Sequence, residues 1–350
     1  MKILTVLGAR PQFIKAAAVS KVLRTQHTEI LVHTGQHYDE NMSDIFFDEL
    51  EIPRPDYNLC VGSGNHGHQT GTMLIKLEEI YEEVKPDLVL VYGDTNSTLA
   101  GALCASKLLI PVAHIEAGLR SFNKNMPEEQ NRILTDHLSK YLFVPTNSAF
   151  KNLSNEGITK NVYNVGDVMY DGILQFTKIA ERKSNILERL NLKNEEFILT
   201  TIHRAENTND YNRMKNIIEA LSDSGEKVIL PLHPRTQKYI ENYNLKLGSN
   251  INIIEPVGYL DMIMLESACK KIVSDSGGIQ KEAFFMKKPC ITMRDETEWI
   301  ETVETGWNTI VGADKSKILD AILNFTVPKE QSNIFGDGHA AEAILNVIQK

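Results

Sequence analysis

Residues 87–120 read DLVLVYGDTNSTLAGALCASKLLIPVAHIEAGLR. An apolar run from Asp87 to Tyr92 stops at Gly93, helical periodicity follows from Ser97 to Leu108, and a second apolar run spans Val112 to Ile115. The two runs lack the polar alternation of a half-exposed sheet, so both faces of their sheet are covered by helices and the unit is a parallel βαβ. Ligands of such sheets sit beyond the carboxyl ends of the strands. Gly93–Asp94 and Glu116–Arg120 therefore open the search for chemistry.

Outward from this unit the rhythm repeats. Strands are expected at Lys2 to Leu7, Glu29 to Thr34 and Tyr141 to Pro145, with helices over Ile14 to Leu23, Gln69 to Val84 and Glu128 to Ser139. A second series starts at Phe197 to Ile202 and continues at Lys227 to Leu232, Ile251 to Ile254, Lys271 to Ser274, Cys290 to Met293 and Thr309 to Val311. The expected architecture is α/β, two doubly wound Rossmann-like domains. The boundary falls near Gly166, giving an N-terminal domain 1–166 and a C-terminal domain 167–337. Ala341, Ile344, Leu345 and Ile348 recur at helical spacing, so a final helix in 338–350 is expected to pack back on the first domain. Glu181 to Asn194 reads as a charged, solvent-facing helix.

With 350 residues and 42% hydrophobic content the chain has material for two packed cores. Its 46 acidic against 37 basic residues give a net charge of -9, which disfavours a general grip on nucleic acid or an anionic membrane. Any anionic ligand must meet a local cationic pocket. The four cysteines are far apart without a CxxC pair and read as small apolar core residues of a reducing compartment. The N-terminal apolar run Ile3 to Leu7 is too short for a signal segment or a membrane span, so a soluble cytoplasmic protein is expected.

The first strand exits into GARPQFIK (8–15), which sets Arg10 and Lys15 at a helix start, a place that attracts anions. The spacing is not GxGxxG, so no dinucleotide is expected there. Asp94, Glu116 and Glu128 bring carboxylates to three strand-exit segments. Any one of them is explained equally well by a helix cap or an ion pair with Arg120 or Arg132. Convergence of all three is harder to explain that way. In the second half, His203 and Arg204 follow one strand and His233 and Arg235 follow the next. His33, His203 and His233 are too scattered for a metal triad, and no metal or cofactor is expected. The segment SDSGGIQKE (274–282) places Ser276, Gly277 and Gly278 at a helix start, where bare backbone N–H groups suit a pyrophosphate. Glu282, one turn in, is positioned to accept from ribose hydroxyls.

At these residues the chain resembles the non-hydrolysing UDP-N-acetylglucosamine 2-epimerase family. The matching segments are GARPQFIK, TGQHYDENM (34–42), GDTNSTLAGALCA (93–105), HIEAGLRSF (114–122), MPEEQNR (126–132), HRAEN (203–207), DSGGIQKEA (275–283) and RDETEW (294–299). They run in one order over nearly the whole chain. The resemblance implies the two-Rossmann-domain architecture of many glycosyltransferases, a UDP-sugar held in an interdomain cleft, and a homodimer. It also implies inversion of the sugar carbon bearing the acetamido group. That C–H is not α to a carbonyl, so direct deprotonation leaves an unstabilised carbanion, and transient oxidation needs a nicotinamide. Elimination of UDP to a glycal, then re-addition with protonation on the other face, remains, and it calls for at least two proton carriers.

Carried over by this resemblance, the proton-transfer roles fall on Asp94, Glu116 and Glu128, and assistance to UDP departure falls on His203. Arg10 and Lys15 lie at the nucleotide and substrate end, Ser276, Gly277 and Gly278 at the diphosphate, Glu282 at ribose, and His233 along the nucleotide cleft. The chain departs from many UDP-GlcNAc enzymes of the family at Ala9 and Gln12, at Trp299-Ile300, and in His233-Pro234-Arg235-Thr236, which stands where those enzymes have HLNP. These variants resemble the subgroup acting on UDP-2,3-diacetamido-2,3-dideoxyglucuronate, whose sugar carboxylate Arg235 could face. UDP-GlcNAc is the leading substrate. A glycosyltransferase and a UDP-sugar-binding regulator without turnover are the competing readings. Gln36 and His37 are kept from a second, activating UDP-GlcNAc site of bacterial relatives, while Tyr38, Asp39 and His68 depart from it.

Overall fold

The computed structural model describes residues 1–36 and 47–349. Two compact units emerge: Met1–Gln175 with Asn333–Lys350, and Phe176–Ser332. The chain passes from one to the other inside the helix Val168–Lys183 rather than at Gly166.

Among the described residues the first unit holds seven strands, β1 (Lys2–Leu7), β2 (Thr28–His33), β3 (Tyr57–Asn58), β4 (Leu88–Tyr92), β5 (Val112–Ile115), β6 (Tyr141–Val144) and β7 (Val162–Asn164), in the order β3-β2-β1-β4-β5-β6-β7. Each adjacent pair is parallel. Burial on both faces agrees with the sequence reading: β4 is buried at every position. Leu4, Val6, Val89 and Val91 share one core with Met73, Leu77 and Tyr81 of the helix His66–Val84 and with Ala102 and Ala105 of the helix Asn96–Lys107. The strand order reverses between β1 and β4, so the exits of β1, β4 and β5 lie side by side at the switch point. The final helix, Ala340–Ile348, starts on Asp171, whose carboxylate accepts from the Ala340 and Ala341 amides at 3.1 and 2.7 Å.

The second unit repeats the plan with β8 (Ile198–Thr201), β9 (Val228–Pro231), β10 (Ile251–Ile254), β11 (Lys271–Ser274), β12 (Cys290–Thr292) and β13 (Asn308–Ile310), in the order β10-β9-β8-β11-β12-β13, again all parallel. Successive side chains alternate between two cores. Val228 and Leu230 pack with Met214, Ile217 and Ile318. Ile229 packs on the other face with Leu265, Ile279 and Ala283. The two units thus carry the doubly wound α/β design expected from the sequence.

Three expectations need correction. The edge strands β3 and β7 have two and three residues and are only partly buried, so no apolar run announced them. The charged helix of 181–194 is broken: the long helix ends at Lys183 and a single turn, Ile186–Arg189, follows, because Ile186 and Leu192 are drawn into the second unit's core. Cys104, Cys269 and Cys290 are buried as expected, but Cys60 is exposed. Among the described residues no helix is long and apolar enough to cross a membrane.

Candidate active site

In the first unit, Gln12 binds the exits of β1 and β4 together. Its Oε1 accepts from the Gly8 and Ala9 amides at 2.8 and 3.0 Å, and its Nε2 donates to the Tyr92 carbonyl at 2.7 Å. That fixes the helix Arg10–Leu23, whose first turn presents exposed Arg10 and, one turn on, buried Lys15. Lys15 forms an ion pair with Glu116. Glu116 itself sits in the left-handed region at φ +69°, uncommon for a residue with a side chain, as its amide and that of Ala117 both turn to the Phe143 carbonyl. Gly93, at φ +64°, leaves room for this pair: a Cβ there would lie 3.1 Å from Glu116 Oε2.

Asp94 stands next in the chain, its side chain still 30% open. Arg132 donates to its carboxylate at 2.6 Å and Asn131 donates to its carbonyl at 2.9 Å. The protein crowding around Asp94 raises its pKa, Arg132 opposes that rise, Glu116 reinforces it and Lys15 opposes it. Asp94, Glu116 and Lys15 are therefore within electrostatic reach of one another. Glu128 is half-buried in the first turn of the helix Pro127–Leu138, three residues before Asn131 and four before Arg132. Its neighbour Glu129 is structural. It accepts from the Ser121 and Phe122 amides at 2.9 Å each and from Arg132, and although burial works against its charge these bonds hold its pKa low.

Behind the carboxylates lies a buried network that the sequence did not reveal. His114 contacts the Gly93 carbonyl through Nε2 and Asp136 through Nδ1, both at 2.7 Å. Asp136 also accepts from Arg120 at 2.7 Å and from the Gly118 amide at 3.1 Å. Gln36 accepts from the Ser97 amide and hydroxyl at 3.0 and 2.6 Å. His37, Tyr38 and Asp39 lie outside the described residues, and His68 is exposed near the start of its helix.

In the second unit, Asp275 at the β11 exit organises the β8 exit. Its carboxylate, fully buried, accepts from the His203 and Arg204 amides at 3.1 and 3.0 Å and from Asn207 Nδ2 at 3.1 Å. His203 Nδ1 lies 3.4 Å from the same carboxylate while half of the His203 side chain faces solvent. Ser276 occupies the N-cap position of the helix Gly277–Phe285, with no capping hydrogen bond from its side chain. A Cβ on Gly277 would come within 2.1 Å of Glu298 Oε1, and one on Gly278 would meet nothing nearer than 3.9 Å. Glu298 is in turn paired with Arg294 at 2.7 Å. Glu282 is buried and accepts from the Tyr259 hydroxyl at 3.1 Å. Beside it Glu266, fully buried, has its pKa pushed well above the carboxylate range by burial and by Glu282. His233 is exposed and caps its own helix, Nδ1 accepting from the Arg235 amide at 3.2 Å.

Each unit thus gathers its own set: Arg10, Lys15, Asp94, Glu116 and Glu128 around the β1, β4 and β5 exits of one, and His203, Ser276, Gly277, Gly278 and Glu282 around the β8 and β11 exits of the other. His233 stands apart from these at the β9 exit. Sequence reasoning missed Gln12, His114, Asn131, Asp136 and Asp275 as organisers, whereas an ion pair of a strand-exit carboxylate with Arg132 was among its alternatives and is found at Asp94. Gln12 carried a signal, a glutamine at the third position of a proline-initiated helix.

The model of UDP-N-acetylglucosamine 2-epimerase matches residues 21–349. A Methanococcus maripaludis protein named as a UDP-N-acetylglucosamine 2-epimerase homolog is 57% identical over 100% of this chain and 99% of its own. The UDP-2,3-diacetamido-2,3-dideoxy-D-glucuronate 2-epimerase of Pseudomonas aeruginosa is 52% identical over the full length of both. Among solved structures, the Methanocaldococcus jannaschii UDP-GlcNAc 2-epimerase, in complex with UDP-GlcNAc and UDP, superposes with a TM-score of 0.87 at 47% identity, over 100% of this chain and 99% of that one. With likeness of this degree running from end to end, the chain belongs to the UDP-N-acetylglucosamine 2-epimerase family.

Proposed function

We propose that the protein interconverts UDP-GlcNAc and UDP-ManNAc by elimination and re-addition of UDP. One observation carries this reading: two carboxylates from different strand exits, Asp94 and Glu116, lie within mutual electrostatic reach, and each is held by its own cation, Arg132 and Lys15. In the forward direction the C1–O bond breaks with its electron pair going to UDP, and a carboxylate takes the C2 proton, leaving a glycal. The return adds the UDP oxygen to C1 while a second acid delivers a proton to the opposite face of C2. Paired proton carriers with different surroundings suit that exchange. Asp94, with its pKa raised, is the natural proton donor, Glu116 held beside Lys15 the acceptor, and Glu128 the third candidate.

The nucleotide falls to the second unit. Gly277 and Gly278 offer N–H groups at a helix start for the diphosphate, His203 assists its departure, Glu282 takes ribose, and His233 lines the nucleotide site. In the first unit, Arg10 and Lys15 are the substrate-binding cations of this reading. A homodimer and a cytoplasmic location belong to the same proposal, the former tested by light scattering.

A second substrate is favoured by one observation. Arg235, exposed beside His233, is an added cation, and the Pseudomonas relative acting on the diacetamido uronate is 52% identical. Product analysis by NMR with each UDP-sugar in turn decides between them. UDP-ManNAc formed from UDP-GlcNAc supports the first reading. Turnover of the uronate alone supports the second, and sugar transfer confined to reactions with an acceptor overturns both.

A further inference from the structure

We propose that Arg294 is a further residue of the diphosphate site, binding the nucleotide by exchanging the carboxylate of Glu298 for phosphate oxygens. This deepens the functional reading above and rests on its placing of a nucleoside diphosphate at the start of the helix Gly277–Phe285.

The backbone brings Arg294 to that helix start. β12 lies beside β11 in the sheet, and Arg294 follows the end of β12 by two residues. Met293 donates its amide to the Ser274 carbonyl at 2.9 Å, and the Arg294 carbonyl accepts from the Gly312 amide at 3.1 Å. Further on, the Thr297 hydroxyl donates to Gln280 Oε1 at 2.6 Å and accepts from the Trp299 amide at 3.1 Å. The segment 293–299 is therefore strapped at both ends, to the strand that precedes the glycine turn and to the helix that follows it.

Two charged side chains of this segment meet over Gly277. Arg294 Nη1 donates to Glu298 Oε2 at 2.7 Å, and a Cβ at Gly277 would lie 2.1 Å from Glu298 Oε1 and 3.7 Å from Arg294 Nη1. Gly277 is buried beneath the pair, while Gly278, next in the chain, is exposed. The carboxylate covers the helix start without using its donors. Among the described residues no side chain accepts from the amide of Gly277 or Gly278, and Ser276 supplies no capping bond. Those amides suit an anion that approaches along the helix.

Which partner leaves follows from charge and exposure. A carboxylate and a diphosphate on one helix start repel each other, so the two cannot share it. The Glu298 side chain is 39% exposed and can turn into water with the backbone still strapped, whereas Arg294 is 11% exposed and stays at the turn. Its planar guanidinium fits phosphate oxygens as well as carboxylate oxygens. The exchange also keeps a largely buried cation paired before and after the ligand arrives. Neighbouring charges have partners of their own. Asp295 is paired with Arg213 at 3.0 Å, Asp275 accepts from the His203 and Arg204 amides, and Lys281 lies over the Trp299 ring, 4.1 Å from its centroid.

The experiment is calorimetric titration of the full-length protein with UDP and, separately, with uridine. Arg294→Gln should weaken UDP about tenfold or more and leave uridine within about twofold. Glu298→Gln keeps the side-chain size and removes the competing charge, so UDP should bind about 2- to 10-fold more tightly. The double variant should bind UDP as Arg294→Gln does. Opposite signs for the two single variants distinguish the exchange from a pair that merely holds the loop, which predicts a loss for both. Wild-type UDP affinity in Arg294→Gln, or unchanged or weakened affinity in Glu298→Gln, would overturn the proposal. Should Arg294→Gln not fold, Glu298→Gln decides alone by the same rise or its absence. No turnover is needed. Wild-type protein that binds no UDP would overturn the nucleotide reading itself, whereas UDP binding indifferent to Arg294 overturns this assignment and leaves that reading standing.

Discussion

Arg132 donates to the carboxylate of Asp94 at 2.6 Å while its other nitrogen holds Glu129 at 2.9 Å. One guanidinium thereby links a carboxyl that is raised to one that is held low. Asp94 is kept in place by a cation, and burial raises its pKa against that cation.

Arg132→Gln removes the main force opposing the rise at Asp94. The Asp94 pKa should climb further and the corresponding limb of the pH–rate profile should move to higher pH, with kcat lowered by about 10- to 100-fold. A profile superimposable on wild type would show that Asp94 does not govern it.

Asp94→Asn, Glu116→Gln and Glu128→Gln keep side-chain size and remove the titrating group. Each should lower kcat by about 100-fold or more with UDP binding retained, as measured by calorimetry alongside initial rates. Glu128 is the sharpest of the three, since no ion pair among the described residues anchors its role. Normal turnover in Glu128→Gln would leave Asp94 and Glu116 as the sole carriers.

Gly277→Ala tests the diphosphate cradle. The new methyl would meet the far end of the Glu298 side chain, which can swing aside, so the fold should survive. The methyl itself would stand where phosphate oxygens approach the backbone. UDP affinity should fall by about tenfold or more with an unchanged melting temperature. Unaltered affinity would place the diphosphate elsewhere.

His33 gives a stability signature. Burial beside Phe13, with ring centroids 5.0 Å apart, lowers its pKa from 6.5 to about 4. The unfolded chain takes up this proton first on acidification. The contribution is therefore present in full above pH 6.5 and is lost as the pH falls through about 4. Melting temperatures recorded across that window should fall less steeply for His33→Gln than for wild type. Parallel slopes would remove His33 as the cause.

Much of this could be read from the chain because its central strands are continuous apolar runs ended by glycine or by a charged turn, as at Tyr92–Gly93. The edge strands β3 and β7 were invisible because two or three half-exposed residues carry no pattern. The candidate carboxylates and the glycine cradle were legible as strand-exit motifs. Their supports were not. His203 meets Asp275 across 72 residues of chain and His114 meets Asp136 across 22, and only the strand order brings such residues together. The misread segment 181–194 shows the converse error, where charge density concealed Ile186 and Leu192, two residues the core required.

Incubation of the purified protein with UDP-GlcNAc in D2O, followed by proton NMR, addresses proton exchange at C2 directly. The expected outcome is deuterium at C2 of both UDP-GlcNAc and UDP-ManNAc, with the linkage to UDP intact and the label absent in Asp94→Asn. UDP-ManNAc that appears with its original C2 proton, or label incorporated undiminished by Asp94→Asn, would contradict the proposed exchange through these carboxylates.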